Sequence, residues 1–279
     1  MTFVLGFISL FGLLWLFFFG VGPLLERLLA RTAHFTSKFR YRDYLPVFVV
    51  LGIGVAGAMS AGDAFIDIAE RVHENSPRLI EIDRTVHEWA RYTHTDGSTL
   101  FFTAMTLIGT PVGLGILGAI VCAFLVLRKR YRWFAYFAGT TIVGGLLNLQ
   151  LKAWFARARP ELSEALRNAH GYSFPSGHAM GSTIFFGALA YLAFRMIPRW
   201  RWRAVALALG FTMIVAIAAS RIYLGVHWIS DVGAGIAAGA IWITATTVAY
   251  ETFRRIRLVR SLRVKRDQTT SVSRTSRGA

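Results

Sequence analysis

Long apolar segments, separated by short polar ones, make up most of the chain. A helix needs about 20 apolar residues to cross a bilayer, and seven segments meet this requirement. Their approximate bounds are 2–25, 44–63, 99–127, 131–151, 179–197, 203–222 and 228–250. The first segment lacks the basic start of a secretory signal, so we predict a retained extra N-terminal helix, with a re-entrant or surface-lying segment as the alternative.

Two regions differ from these apolar segments. Residues 64–97 mix apolar and charged positions, and apolar residues recur at helical spacing from Ile80 to Trp89. This pattern predicts one or two short amphipathic helices that lie at the membrane interface. Residues 261–279 are rich in Ser, Thr and Arg without apolar periodicity, which predicts a disordered tail in contact with anionic lipid.

The expected fold is an all-α, polytopic transmembrane helical bundle in three parts. The parts are an N-terminal helix with a basic linker (1–43), a core (44–250) and a basic tail (251–279). Composition agrees, because 54% of residues are hydrophobic and only 16% are charged, against about 25% in soluble domains. The single cysteine, Cys122, excludes a disulfide framework and a cysteine-based metal site.

The net charge of +16 could suit nucleic acid, but its distribution indicates membrane orientation instead. One set of segments holds 22 of the 31 Lys and Arg residues with 4 acidic residues: 21–43, 128–132, 195–203 and 251–279. The other set holds 9 basic and 11 acidic residues: 63–97, 152–178 and 220–231. Because basic loops stay in the cytoplasm, the first set is predicted to be cytoplasmic, with the N-terminus outside and the C-terminus inside. No nucleic-acid partner is expected.

Three polar segments fall on the predicted outer side, each at the end of a span. They read KAWFARARP (152–160), SFPSGHAM (173–180) and SRIYLGVHWISD (220–231). An ionisable residue at membrane depth is costly unless it is paired or hydrated. Since the orientation from charge alone puts all three segments at one face, we predict that they form a common site.

The cations and the helix start in these segments suit a phosphate group. Lys152, Arg159 and Arg221 offer positive charge, and the arginine fork matches phosphate oxygens. Ser176 and Gly177 follow a proline at a predicted helix start, where backbone N–H groups and a hydroxyl bind anions. Taken singly, these residues are also explained as interface anchors or helix-start chemistry.

Two histidines and one aspartate supply candidate catalytic groups. His178 and His227 are candidates for nucleophile and general acid. Asp231 follows His227 by four residues and shares its helical face, so it could bind one ring nitrogen and leave the other free. These groups predict phosphoryl transfer with no metal and no cofactor, since side chains supply the positive charge. The other histidines are expected to be structural: His34, His73, His87, His94 and His170.

The same residues form a family pattern. In order, it reads Lys152-x6-Arg159-Pro160, Pro175-Ser176-Gly177-His178 and Ser220-Arg221-x5-His227-x3-Asp231. This pattern resembles the three motifs of the type 2 phosphatidic acid phosphatase (PAP2) superfamily, over roughly residues 44–250. The resemblance implies a six-helix core, to which the predicted helix 2–25 is an addition, and a metal-independent membrane lipid phosphatase.

The resemblance also implies a role for each motif residue. His227 forms a phosphohistidine, Asp231 is its partner, and His178 protonates the leaving lipid oxygen. The implied phosphate-binding residues are Lys152, Arg159, Ser176, Gly177 and Arg221. The implied substrate is a phosphorylated lipid in the bilayer, such as a polyprenyl diphosphate, phosphatidate, phosphatidylglycerophosphate or lipid A 1-phosphate. A bacterial inner membrane with a periplasmic active site is the expected location.

Two other functions stay open at this point. The protein is a phosphotransferase if another lipid or a sugar reaches the phosphohistidine before water does. A non-catalytic phospholipid-binding or transport protein is the other alternative, although transporters usually hold polar residues near the bilayer midplane rather than at helix ends. The predicted spans exclude a soluble vanadate haloperoxidase. Selection of the lipid head group is expected to depend on residues 161–172.

Overall fold

The structure is a computed structural model that describes residues 45–160 and 171–275, and this part of the chain is all-α. Its helices are α1 (Leu45–His73), α2 (Pro77–Tyr92), α3 (Asp96–Ile108), α4 (Pro111–Leu127), α5 (Tyr131–Phe155), α6 (Gly177–Met196), α7 (Trp200–Tyr223) and α8 (Ile229–Thr275). The predicted fold class is therefore confirmed. The predicted helix 2–25 and most of the head-group loop 161–172 lie outside the described residues.

The protein is a multi-pass membrane bundle. In the described ranges, four helices are long and apolar enough to cross a bilayer, and α3 with α4 makes a fifth if the bent pair counts as one span. The four are Tyr131–Phe155, Gly177–Met196, Trp200–Tyr223 and Ile229–Arg254. Large apolar side chains such as Leu100, Leu107 and Ile116 are exposed on the bundle surface, as expected of side chains that face lipid.

The span predicted at 99–127 is not one continuous helix. The chain bends by 56° between α3 and α4, at Gly109, Thr110 and Pro111. Proline has no N–H to donate and disfavours helical geometry in the residue before it, which explains the break. Thr110 then caps α4, since its side chain accepts the N–H of Gly113 at 2.9 Å.

The region predicted to lie at the interface, 64–97, is more closely tied to the bundle than its pattern suggested. Its first part continues α1 to His73, and its second part forms α2. Helix α2 buries Asp83 and His87 against the bundle, whereas Trp89 is exposed. Amphipathic spacing predicted the helix, but a carboxylate on the buried face was not expected.

The C-terminal tail is helical in the structure. The sequence predicted a disordered tail at 261–279, but α8 continues to Thr275. No glycine or proline occurs between positions 240 and 277, so nothing in the sequence interrupts the helix that begins in the membrane.

Helix α6 lies in the middle of the bundle, packed against α5, α7 and α8. Two glycines on α8 allow it to approach α6 closely. A Cβ at Gly235 would lie 2.7 Å from the carbonyl oxygen of Ser176, and one at Gly239 would lie 2.7 Å from the Cβ of Thr183. This close packing holds the first residues of α8 beside the start of α6.

We expect Gly239→Ala to destabilise the protein by about 1–3 kcal/mol, because the added methyl would push α8 away from α6. Gly233→Ala is the matched control on the same helix, since its Cβ would meet only the Cδ1 of Ile68, at 3.4 Å. Thermal unfolding of the purified variants in detergent measures the difference. Equal melting temperatures for the two variants would show that the helices separate without cost.

Candidate active site

The three polar segments meet at one end of the bundle, around a cavity of about 1050 Å³. The C-terminal end of α5, the start of α6 and the junction between α7 and α8 reach this end because successive helices alternate in direction. Six of the eight predicted site residues line the cavity: Lys152, Arg159, Gly177, His178, Arg221 and His227. The other two lie beside it, since Ser176 precedes Gly177 and Asp231 contacts His227.

His227 is buried in the short link between α7 and α8, with both ring nitrogens in contact. Its Nε2 lies 3.1 Å from Nη1 of Arg159, and its Nδ1 lies 3.4 Å from Oδ2 of Asp231. A guanidinium can only donate, so Nε2 accepts and Nδ1 carries the proton. In this assigned tautomer the lone pair of Nε2 points towards the cavity, where it accepts the hydrogen bond from Arg159.

Burial keeps the His227 ring neutral. It lowers the pKa of His227 from 6.5 to about 4, although the nearby Asp231 carboxylate acts in the opposite direction. Burial also lowers the pKa of Arg159, again opposed by Asp231. At neutral pH the imidazole is therefore uncharged, as a nucleophile requires.

Asp231 has a fixed orientation. Its Oδ2 accepts the backbone N–H of Trp228 at 3.0 Å and the hydroxyl of Ser173, and its Oδ1 accepts Nη1 of Arg157 at 2.7 Å. These donors hold the carboxylate against Nδ1 of His227. Such an orienting carboxylate selects one tautomer of the ring and supports a positive charge that develops on it.

Backbone carbonyl groups hold two of the cations at the cavity. Lys152 Nζ donates to the carbonyl of Tyr172 at 2.8 Å, and Arg159 donates to those of Gly171 and Val226 at 2.9 and 2.8 Å. Among the described residues that line the cavity, three are cationic and none is Asp or Glu. The cavity therefore favours an anion.

The start of α6 supplies polar atoms that face this positive region. Ser176 is the N-cap of α6, yet its side chain caps no backbone group. Its Oγ and the Nε2 of His178 are buried with no hydrogen-bond partner in the described part of the chain. A buried polar atom without a partner costs about 1–3 kcal/mol. Two such atoms beside cations and a helix N-terminus fit a tetrahedral anion as the ligand.

The rest of the cavity is apolar and runs between α4 and α5. Its lining includes Leu114, Ala119, Cys122, Ile142 and Leu149. Cys122 lies eleven residues into α4 and Ile142 lies thirteen residues before the end of α5, so the apolar part extends well along both helices. A polar mouth that continues into an apolar groove suits a molecule with an anionic head and a hydrocarbon tail.

Sequence reasoning missed several residues that contact the site. Arg157 and Ser173 lie in the polar segments, but the sequence predicted no role for them in the site. Arg157 binds Asp231, and Ser173 contacts both His227 and Asp231. Thr106 accepts a hydrogen bond from Arg221. Asp83 binds Arg157 from α2. Ser173 lies in a segment that the sequence had singled out, but Asp83 stands 147 positions from its partner Ser230, and no local pattern links them.

Comparison with known proteins points to one family. Residues 133–255 match the model of the PAP2 superfamily. The chain is 32% identical over 97 residues to phosphatidylglycerophosphatase B of Bacillus subtilis, an alignment that covers 34% of this chain and 47% of the relative. It is 35% identical over 125 residues to lipid A 1-phosphatase of Rhizobium johnstonii, covering 42% of this chain and 47% of that protein. The chain thus spans about half the length of these relatives.

The fold has a solved counterpart. The crystal structure of a transmembrane PAP2-type phosphatidylglycerolphosphate phosphatase from Bacillus subtilis superposes with a TM-score of 0.64. The alignment covers 68% of this chain and 94% of the other, at 23% identity. The helical arrangement described above is therefore that of a known transmembrane bundle.

Proposed function

We propose that this chain, whose residues 133–255 match the PAP2 superfamily, is a member of that superfamily and a membrane lipid phosphatase that forms a phosphohistidine. The observation that carries the proposal is the cavity, in which cations and two histidines surround the mouth while apolar side chains line the remainder. Lipid phosphatases among the relatives, from Bacillus subtilis and Rhizobium johnstonii, support it.

In the first step, Nε2 of His227 attacks the phosphorus atom and the bond from phosphorus to the lipid oxygen breaks. Arg159, which donates to Nε2 in the substrate-free site, transfers its hydrogen bond to a phosphate oxygen and so uncovers the lone pair. Lys152 and Arg221 stabilise the charge on the transferring group. Once the phosphate anion is bound beside it, His178 takes up a second ring proton and gives this proton to the departing lipid oxygen. Asp231 stabilises the imidazolium character that develops on His227.

In the second step, water attacks the phosphohistidine and the bond from phosphorus to nitrogen breaks. His178, now neutral, accepts a proton from that water, which returns the ring to its starting state. Inorganic phosphate leaves, and His227 is again neutral with its proton on Nδ1. Side chains perform each of these transfers, so we expect activity without an added metal.

The substrate class follows from the two parts of the cavity. A phosphate or diphosphate at the mouth and a hydrocarbon chain between α4 and α5 would fill it, as in a polyprenyl diphosphate, phosphatidate, phosphatidylglycerophosphate or lipid A 1-phosphate. The distribution of basic residues supports a location of the mouth on the outer face. In a bacterium this would be the periplasmic face of the inner membrane.

A panel of these four lipids, assayed for phosphate release by the purified protein in detergent with chelator present, tests the proposal. We expect release from at least one lipid, at a rate that chelator leaves unchanged. Adding candidate phosphate acceptors, such as another lipid or a sugar, distinguishes a phosphatase from a phosphotransferase, because only a phosphotransferase gives a phosphorylated acceptor as product. Lipid that binds but keeps its phosphate over long incubation would instead indicate a binding or transport protein.

The pH dependence provides a second test. Because the pKa of His227 is lowered to about 4, its neutral form predominates at all higher pH values, and kcat/KM should lose the nucleophile only as pH falls through about 4. Measurement of kcat/KM from pH 4 to 8, corrected for the titration of the substrate phosphate by ³¹P NMR, checks this. An acid limb near pH 6.5 in the corrected profile would contradict a buried neutral imidazole.

A further inference from the structure

Arg157 forms a buried ion-pair cluster behind the candidate nucleophile. Its Nη1 lies 2.7 Å from Oδ1 of Asp231, and its Nη2 lies 2.7 Å from Oδ2 of Asp83. The side chain of Arg157 is 17% exposed, and those of Asp83 and Asp231 are 2% and 0% exposed. One guanidinium thus joins two carboxylates that come from different helices.

Asp83 also binds the first turn of α8. Its Oδ1 accepts the backbone N–H of Ser230 at 3.0 Å, and its Oδ2 accepts the Ser230 hydroxyl at 2.7 Å. The Ser230 hydroxyl in turn accepts Nη1 of Arg157 at 2.8 Å. N–H groups at the start of a helix have no partner within the helix, so a carboxylate from α2 satisfies one of them and stabilises the helix dipole.

These contacts determine where Asp231 points. Asp231 follows Ser230 directly, and Arg157 holds one of its oxygens. Its other oxygen is then left to face Nδ1 of His227. A carboxylate oxygen facing Nδ1 accepts its N–H, which favours the proton on Nδ1 rather than on Nε2.

The cluster is not explained by stability alone. Removing two carboxylates and a guanidinium from water is costly, and apolar side chains of the same volume often stabilise a protein as well or better. An ion-pair cluster fixes the position and orientation of charged groups, which apolar packing cannot do. Here the cluster binds Ser230, the residue directly before Asp231, and Asp231 is the carboxylate that orients His227.

We propose that Asp83, on a helix outside the segment that matches the family, is a positioning residue which acts through Arg157 and Ser230 to hold Asp231 against Nδ1 of His227. The nucleophilic Nε2 thereby stays unprotonated. The proposal rests on the function of His227 proposed above, but its first test does not require that function.

The first test is the tautomer of His227. ¹⁵N spectra of histidine-labelled protein in detergent distinguish protonated from unprotonated ring nitrogens, and His227→Ala identifies the His227 signals. We expect an unprotonated Nε2 in the wild type and a mixture of both tautomers in Asp83→Asn. Glu81→Gln, an exposed carboxyl on the same helix, is the matched control and should retain the wild-type spectrum. An unchanged tautomer in Asp83→Asn overturns the proposal.

The second test is kinetic. With whichever lipid the wild type hydrolyses, Asp83→Asn should lower kcat by about 10- to 100-fold, as for other residues that orient a functional ligand. KM should change little, because Asp83 does not line the cavity that would hold the lipid. A rise in KM with kcat preserved contradicts a positioning role and indicates a general distortion of the site.

Arg157→Lys provides the same readouts if Asp83→Asn fails to fold. Lysine keeps the charge but lacks the planar fork whose two terminal nitrogens each hold one carboxylate, so it should also give mixed tautomers. In the double variant the loss of kcat should be smaller than the product of the two single losses, because both changes break one network. If the losses of kcat in the two single variants multiply in the double variant, Asp83 and Arg157 do not act through one network. Absence of phosphate release by the wild type from every lipid would count against the proposed function, whereas the tautomer result concerns Asp83 alone.

Discussion

His227→Ala is expected to reduce phosphate release by at least about 10⁴-fold, the largest effect of any single substitution. The variant removes the proposed nucleophile, and loss of a nucleophile in an enzyme with a covalent intermediate typically has this magnitude. Initial rates of phosphate release from the preferred lipid measure the loss. Acid-labile ³²P bound to the protein, trapped from a labelled lipid, should disappear in parallel.

His73→Ala is the control for this experiment, because His73 lies exposed at the end of α1, away from the cavity. It should keep full activity and give wild-type labelling. Full activity in His227→Ala would refute the phosphohistidine mechanism. If His227→Ala still becomes labelled with ³²P, another residue is the nucleophile.

His178→Gln should have the second largest effect, and that effect should depend on the leaving group. A lipid alkoxide leaves poorly without a proton, so we expect kcat/KM for the lipid to fall by about 10²- to 10⁴-fold. An aryl phosphate such as p-nitrophenyl phosphate releases a weakly basic phenolate, which needs no proton. Its kcat/KM should therefore fall at least about tenfold less than that of the lipid.

The comparison of two substrates separates acid catalysis from simple distortion. His178 lies close to Gly109, since a Cβ at Gly109 would be 3.0 Å from its Cδ2, so a substitution could also disturb the bend between α3 and α4. Such a disturbance would lower the rates for both substrates equally. Equal losses therefore contradict the role of His178 as the acid that protonates the lipid oxygen.

The grouping of the candidate site residues could be predicted because each of their motifs is local. The spacing from His227 to Asp231 lies within a single helical turn, and Ser176, Gly177 and His178 are consecutive. Apolar length and the distribution of basic residues were enough to predict which segments share one end of the bundle. The structure agrees, since most of the predicted residues line one cavity.

The bend and the tail show the limit of single-sequence patterns. Hydropathy over 99–127 is uniform enough to predict a single span, and Pro111 within it is compatible with either a kink or a break. A Cβ at Gly109 would collide with Ile217 and approach His178, from two other helices, so the tertiary packing requires a glycine where the chain turns. In the tail, weak periodicity predicted disorder, yet the helix that starts in the membrane continues to Thr275.

What the sequence determined by itself is the all-α membrane architecture, the motif residues and their placement at one end of the bundle, because these depend on local spacing, apolar length and net charge. What only the tertiary structure decided is how the candidate nucleophile, His227, is oriented. Asp83 and Arg157 bind each other across 74 positions of the chain. Buried charges pair when the fold brings them close in space, whatever their separation in sequence. The identity of that partner follows from packing, which no run of neighbouring residues encodes.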